Sequence, residues 1–198
     1  MKLILASASP RRREILSTLG VPFEVRYADA DESCELADPA ARVEAIATKK
    51  CNAVCDALLA EGMPIHAPDT DVVVLACDTL VTLDGAFLGK PTDEANIRRM
   101  MHALSGRTHT VASGIAIRAG GRIVTAHELT GVTFAPMTEA DIDAYVATGE
   151  SFGKAGAYAI QGHAARFIRG IEGDYFNVVG LPVHRLFETM EREFGIRL

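Results

Sequence analysis

What the sequence lacks closes off several classes of function. It has no long apolar run: Met1-Lys2-Leu3-Ile4-Leu5-Ala6 is shorter than the apolar region of a signal peptide, and no later stretch approaches membrane-spanning length. The expectation is a cytoplasmic protein without a membrane partner. A basic excess is missing too. The formal net charge is -6 and the pI about 5.5, which argues against nucleic acid as a partner, so any anion site must be local. The four cysteines, at 34, 51, 55 and 77, show no Cys-x-x-Cys spacing, and a chain of the cytoplasm keeps them reduced. Cys51 and Cys55 stand four apart on a predicted helix, but no further thiolate or imidazole falls at a matching metal spacing, and they read as two small helix-face residues. The six histidines, at 66, 102, 109, 127, 163 and 184, include no His-x-x-x-His pair, and none is assigned a catalytic role. There is no Gly-x-Ser-x-Gly elbow and no Gly-x-x-x-x-Gly-Lys-Ser/Thr loop, so neither a serine hydrolase nor a P-loop protein is indicated.

What is present is a chain of 198 residues, 48% hydrophobic, long enough for a substantial core. We expect one domain over 1–198 with a cleft. A short buried strand over 2–6 leads to a helix from Pro10 to Leu19, with Ser9 as N-cap, Pro10 at the first helical position and Gly20 as terminator. A strand is predicted over 23–27, and Asp38-Pro39 opens a long helix that ends near Gly62, followed by loop over 61–70. The run 72–77 reads as a strand covered on both faces; Asp78 interrupts it, and Thr79 to Leu83 continues to a turn at Asp84-Gly85. Next come a helix from Asp93 to Leu104, a hairpin of 108–118 and 122–134 about Gly120-Gly121, and a helix capped by Thr138 and Asp141. A glycine-rich loop, a strand over 166–171 and an amphipathic helix from Pro182 to Phe194 complete an α/β pattern.

Several stretches carry chemistry. In Ser7-Ala8-Ser9-Pro10-Arg11-Arg12 small residues leave a strand and begin a helix, whose open N–H groups and positive dipole end favour an anion, while two arginines add bidentate donors. Local chemistry does not separate this phosphate cradle from an ordinary capped helix with solvated arginines. Asp78 delivers a carboxylate at the end of a buried strand, suited to a general base or a metal ligand, or to a plain turn. Asp31 and Glu32 form an acidic pair that spacing allows to share a divalent metal with Asp78, or simply to be solvated. Lys90 in Gly89-Lys90-Pro91 and Lys154 in Gly153-Lys154-Ala155-Gly156 sit in loops fixed by glycine or proline. Lys50, beside Lys49, has the look of a solvated helix face. Each of the three suits a phosphate. Gln161, before Gly162, offers an amide able to read a base edge, or a plain loop amide.

Together with Ala76-Cys77-Asp78-Thr79, with Tyr158-Ala159-Ile160-Gln161-Gly162 and with Asn177-Val178-Val179-Gly180-Leu181-Pro182, these stretches resemble the Maf family of nucleotide pyrophosphatases over nearly the whole chain. The resemblance rests on their joint order and spacing. It implies a Maf/inosine-triphosphatase-like α/β fold, an elongated mixed sheet flanked by helices with a central cleft between two lobes. It also implies cleavage between the α and β phosphates to a nucleoside monophosphate and pyrophosphate, a divalent cation (Mg²⁺ or Mn²⁺) as cofactor, and a homodimer. Asp78 matches the family's proton acceptor, with Ser7, Arg12, Glu32, Lys50, Lys90 and Lys154 at its other phosphate and metal positions. Arg11, Thr79 and Gln161 match the branch acting on dTTP and UTP, where the branch preferring 7-methyl-GTP has Trp, Gln and Glu. Cys77 stands where the family often has Ala or Ser, and Cys51 where Ala is usual, both small changes. Two other readings stay open: a 7-methyl-GTP-type enzyme, and a non-catalytic nucleotide sensor acting in septum formation.

Overall fold

The computed structural model describes residues 1–67 and 70–198; of the loop expected over 61–70, residues 68 and 69 lie outside the described ones. The chain divides into two compact units, Met1–Asp78 with Ser113–Glu128 and Gly180–Leu198, and Thr79–Ala112 with Leu129–Val179. A seven-stranded mixed sheet flanked by helices runs through the chain in the order β2-β1-β3-β5-β6-β7. Its strands are β1 (Lys2–Ala6), β2 (Glu24–Arg26), β3 (Val72–Leu83), β5 (Thr108–Ala119), β6 (Arg122–Phe134) and β7 (Ile168–Glu172), with β4 (Ala86–Leu88) antiparallel to β3.

In the first unit β1 pairs in parallel with both β2 and β3. Such strands need crossovers, and α1 (Pro10–Thr18) and α2 (Pro39–Ala60) supply them. Pro10 opens α1, as expected. Ser9 occupies the cap position with extended backbone, but its side chain makes no cap; its amide instead donates to the Ser7 hydroxyl at 3.2 Å. The hydroxyl next to the strand, rather than the one next to the helix, is therefore the one turned inward. Asp38 does cap α2, accepting from the Ala41 amide at 2.8 Å. The apolar stripe of α2, Ala47, Cys51, Val54, Cys55 and Leu58, packs on Ile4, Ala6, Val72, Val74, Ala76 and Ala116. The backbones approach closely at Gly114 of β5, where an added Cβ would lie 2.6 Å from the Val43 carbonyl carbon of α2. Cys51, Cys55 and Cys77 are buried and Cys34 is half-buried, and none of the four is joined in a disulfide. The last helix, α6 (Val183–Phe194), ends at Gly195 in the left-handed region, φ 67°.

Two expectations need correction around Asp78 and the tail. Asp78 does not end a strand, because β3 runs unbroken from Val72 to Leu83 with Asp78 in its middle. The flanking apolar residues continue the ladder through it, and a cation accommodates the carboxylate, as described below. The strand expected over 166–171 starts two residues later: His163–Phe167 form a 3-10 turn before β7. Phe167 falls inside the expected strand, but it is buried against Tyr145, their rings in edge contact at 6.0 Å.

The second unit gathers α3 (Glu94–Leu104) and α4 (Glu139–Val146), joined by the Arg98–Asp143 ion pair. Thr138 and Asp141 form the expected capping box at α4. The short α5 (Tyr175–Val179) brings Asn177 inside, where its amide donates to the Val111 carbonyl at 3.0 Å and to Thr130 at 2.8 Å. His109, Phe134 and Tyr158 form a buried cluster of edge-on rings with centroids 5.0–5.4 Å apart. None of the described helices is long and apolar enough to cross a membrane.

Candidate active site

The parallel register of β1 and β3 decides where the first set of residues emerges. Ala6 pairs with Ala76, so the chain passes into the Ser7–Ser9 loop on one strand as Cys77 and Asp78 follow on the next. Arg12, on the first turn of α1, folds back: Nη1 donates to the Ser7 hydroxyl at 3.1 Å and Nε to the Gly180 carbonyl at 2.8 Å. Only 9% of Arg12 is exposed. The same Gly180 carbonyl accepts from the Cys77 thiol at 3.3 Å, so a single backbone oxygen ties the arginine to the strand that carries Asp78. The sequence pointed to Gly180 only as part of a motif. Its backbone angle, φ 128°, is the physical signal, because few other residues tolerate it.

Arg11 is half-buried beside Arg12. Burial first, and then the charge of Arg12, lowers its guanidinium below the ordinary arginine value. Two crowded cations at a helix start that Ser9 leaves uncapped make a place where an anion is stabilised.

Lys50 is no solvated helix residue. Its ammonium lies 2.7 Å from Asp78 Oδ1 and 3.1 Å from Glu32 Oε2, so α2 delivers one cation between two carboxylates. The Asp78 side chain is 13% exposed and that of Lys50 19%, a partly dry setting in which the pair is stronger than at the surface. Asp31, the other half of the acidic pair, points elsewhere. It accepts from the Ser33 hydroxyl at 2.7 Å and amide at 2.9 Å, and Lys49 stands 3.5 Å away. These bonds, the hydroxyl's first, hold the Asp31 carboxyl below its usual value. Spacing alone did not separate Asp31 from Glu32; the turn at Ser33 does.

The remaining predicted residues belong to the second unit. Thr79 is the next residue along β3 after Asp78 and is half-buried. Lys90 is exposed, beside Gly89, whose carbonyl accepts from the Gly156 amide at 3.2 Å. Lys154 donates from its ammonium to the Glu150 carbonyl. Gly156 and Ala157 both sit in the left-handed region, at φ 69° and 60°. The Gly156 position also excludes a side chain, since a Cβ there would stand 3.0 Å from Val81. Gln161 is exposed in the turn before Gly162. Sequence reasoning missed Glu150 and Tyr145, which lie beneath this loop.

Fold and site define a mixed α/β protein with an arginine-lined helix start beside a carboxylate–lysine–carboxylate cluster, an arrangement suited to phosphate groups. The chain belongs to the Maf family: the model of that family, described as Maf-like protein, matches residues 2–193. The chain is 51% identical over 193 residues to the dTTP/UTP pyrophosphatase of Moorella thermoacetica, covering 96% of this chain and 93% of that one. It is 47% identical to the dTTP/UTP pyrophosphatase of Symbiobacterium thermophilum, covering 98% and 94%. Among solved structures, the Staphylococcus aureus Ham1 protein matches 68% of this chain and 72% of its own at 15% identity, with a TM-score of 0.47, too distant to add to the assignment.

Proposed function

We propose that this protein hydrolyses dTTP and UTP between the α and β phosphates, releasing the nucleoside monophosphate and pyrophosphate. The observation that carries the reading is near-full-length identity of 51% to a protein named for that activity. The Glu32–Lys50–Asp78 cluster supplies chemistry that fits it.

In this reading Asp78 takes the proton of the water that attacks the α-phosphorus in line, and Lys50, 2.7 Å from it, holds the carboxylate oriented until it does so. Ser7 and Arg12 receive phosphate oxygens at the start of α1. Lys50, Lys90 and Lys154 offset charge on the phosphates and on the departing pyrophosphate. Arg11, Thr79 and Gln161 select the pyrimidine base, Gln161 with an amide that both donates and accepts. Glu32 and Asp78 are the residues that would hold a divalent cation. Two carboxylates that already converge on one ammonium are hard oxygen donors of the kind Mg²⁺ and Mn²⁺ take together with substrate phosphates. Such a cation would neutralise phosphate charge and orient the nucleotide.

Incubating the purified protein with Mg²⁺ and a panel of triphosphates, with pyrophosphate as the readout, tests the reading. The expected result is release from dTTP and UTP. Preference for 7-methyl-GTP would overturn the branch assignment, and binding without turnover would make the protein a sensor.

A further inference from the structure

Glu150 belongs to none of the motifs that carry the resemblance, yet the loop bearing Lys154 and Gln161 is fastened to it. Its Oε2 accepts from the His163 amide at 2.6 Å. Its Oε1 accepts from the Ala164 amide at 3.2 Å and lies 2.9 Å from the Tyr145 hydroxyl. That hydroxyl also lies 3.2 Å from the carbonyl of Ala157, in the strained part of the loop. The main-chain carbonyl of Glu150 accepts from Lys154. Gly162, directly after Gln161, leaves room for the carboxylate and nothing more, since an added Cβ would fall 1.9 Å from Oε2. Burial alone would push the Glu150 carboxyl up, but the His163 amide, the Tyr145 hydroxyl and the Ala164 amide together hold it below its usual value.

We infer that Glu150 is a specificity-positioning residue: its carboxylate grips the chain just after Gln161 and fixes where that amide meets the base of the nucleotide. The inference rests on the pyrimidine reading above and concerns only its base-reading half. A side-chain amide offers an acceptor beside a donor, the complement of the N3–H and carbonyl edge of uracil and thymine; cytosine presents an acceptor and an amine there instead. Discrimination between UTP and CTP therefore depends on which end of the amide faces N3, and so on how the stretch that carries Gln161 is held. A carboxylate is needed because its two oxygens accept from two successive amides, whereas glutamine would turn an NH₂ toward one of them.

Two variants test this, each read as kcat and KM for UTP and CTP. Glu150→Gln keeps the backbone carbonyl that holds Lys154 and disturbs the carboxylate's bonds to the amides of residues 163 and 164 and to the Tyr145 hydroxyl. Gly162→Ala displaces the carboxylate from the other side, its Cβ falling 1.9 Å from Oε2. Both should raise KM for UTP about tenfold with a smaller change in kcat, and lower the UTP-to-CTP ratio of kcat/KM by a similar factor. The inference is overturned if both variants keep that ratio within about twofold of wild type, or if UTP and CTP activity fall together, the pattern of a merely structural role. A wild-type protein that releases no pyrophosphate from UTP would instead sink the functional reading, and this inference with it.

Discussion

Lys50 and Arg12 show how a single side chain acquires a role from partners far away in sequence. On α2 alone Lys50 is one of two adjacent lysines; what distinguishes it is Asp78, 28 residues on, with Glu32 at its other side. Arg12 is likewise fixed by a carbonyl 168 residues away. Asp78→Asn removes the proposed proton acceptor while keeping size and shape, and should lower kcat about a thousandfold or more with KM for dTTP changed little. Pyrophosphate release near the wild-type rate would remove Asp78 from the mechanism. Arg12→Lys tests the cradle. An ammonium cannot serve Gly180 and Ser7 together and still present a planar fork to phosphate, so KM for dTTP and UTP alike should rise about tenfold. Saturation curves that superimpose on the wild type would show that the guanidinium geometry is immaterial.

At the level of helices and strands the tightest constraint is where β5 meets α2. Gly114 is needed there because a methyl group would enter backbone, at 2.6–2.8 Å from Val43 and Glu44, and backbone cannot swing aside as a side-chain tip can. Gly114→Ala should destabilise the fold by about 2–4 kcal/mol through overpacking, read as a lowered urea midpoint with an unchanged m-value. An unshifted midpoint would mean that α2 rides away from the sheet at little cost. The elements themselves were largely legible in the sequence. Their signals are local: Pro10 at a helix start, Asp38 and Thr138 as caps, Gly120-Gly121 between two β-rich runs. Legibility failed where tertiary partners override local pattern. Asp78 looked like a strand end because a charge in an apolar run normally marks one, but β3 continues through it with the Lys50 ammonium against its carboxylate. Phe167 looked like a strand residue because its apolarity serves contact with Tyr145 rather than the sheet. The site followed the same rule. Its residues lie in short stretches that stand out by composition, while the bonds that set their geometry, Ser7 to Arg12, Arg12 to Gly180 and Glu150 to His163, leave no local trace.

For the molecule as a whole, a residue outside the site is expected to contribute to the response to acid. His109 is 2% exposed, its Nε2 lies 2.8 Å from the Tyr158 hydroxyl and its ring is in edge contact with Phe134 and Tyr158, and among the described residues it has no ion pair with a carboxylate. Burial lowers its pKa from 6.5 to about 4. The folded protein thus keeps His109 neutral where the unfolded chain takes up a proton. As pH falls below 6.5 the unfolded state binds more protons than the native one, and stability declines until the native imidazole also titrates near pH 4. A difference of this size corresponds to about 3 kcal/mol once the window is crossed. Carboxylates held below their usual values, Glu150, Glu193, Asp31 and Asp141, act in the same direction but only below their unfolded values of 4.5 for Glu and 3.8 for Asp. The interval between pH 6.5 and 4.5 is therefore where the contribution of His109 is read. Urea unfolding of the wild type should lose stability progressively across it, whereas His109→Gln, which cannot titrate, should start from a lower stability and show a flatter profile. Parallel profiles for the two proteins would place the acid sensitivity elsewhere and separate the buried imidazole from the stability of the fold.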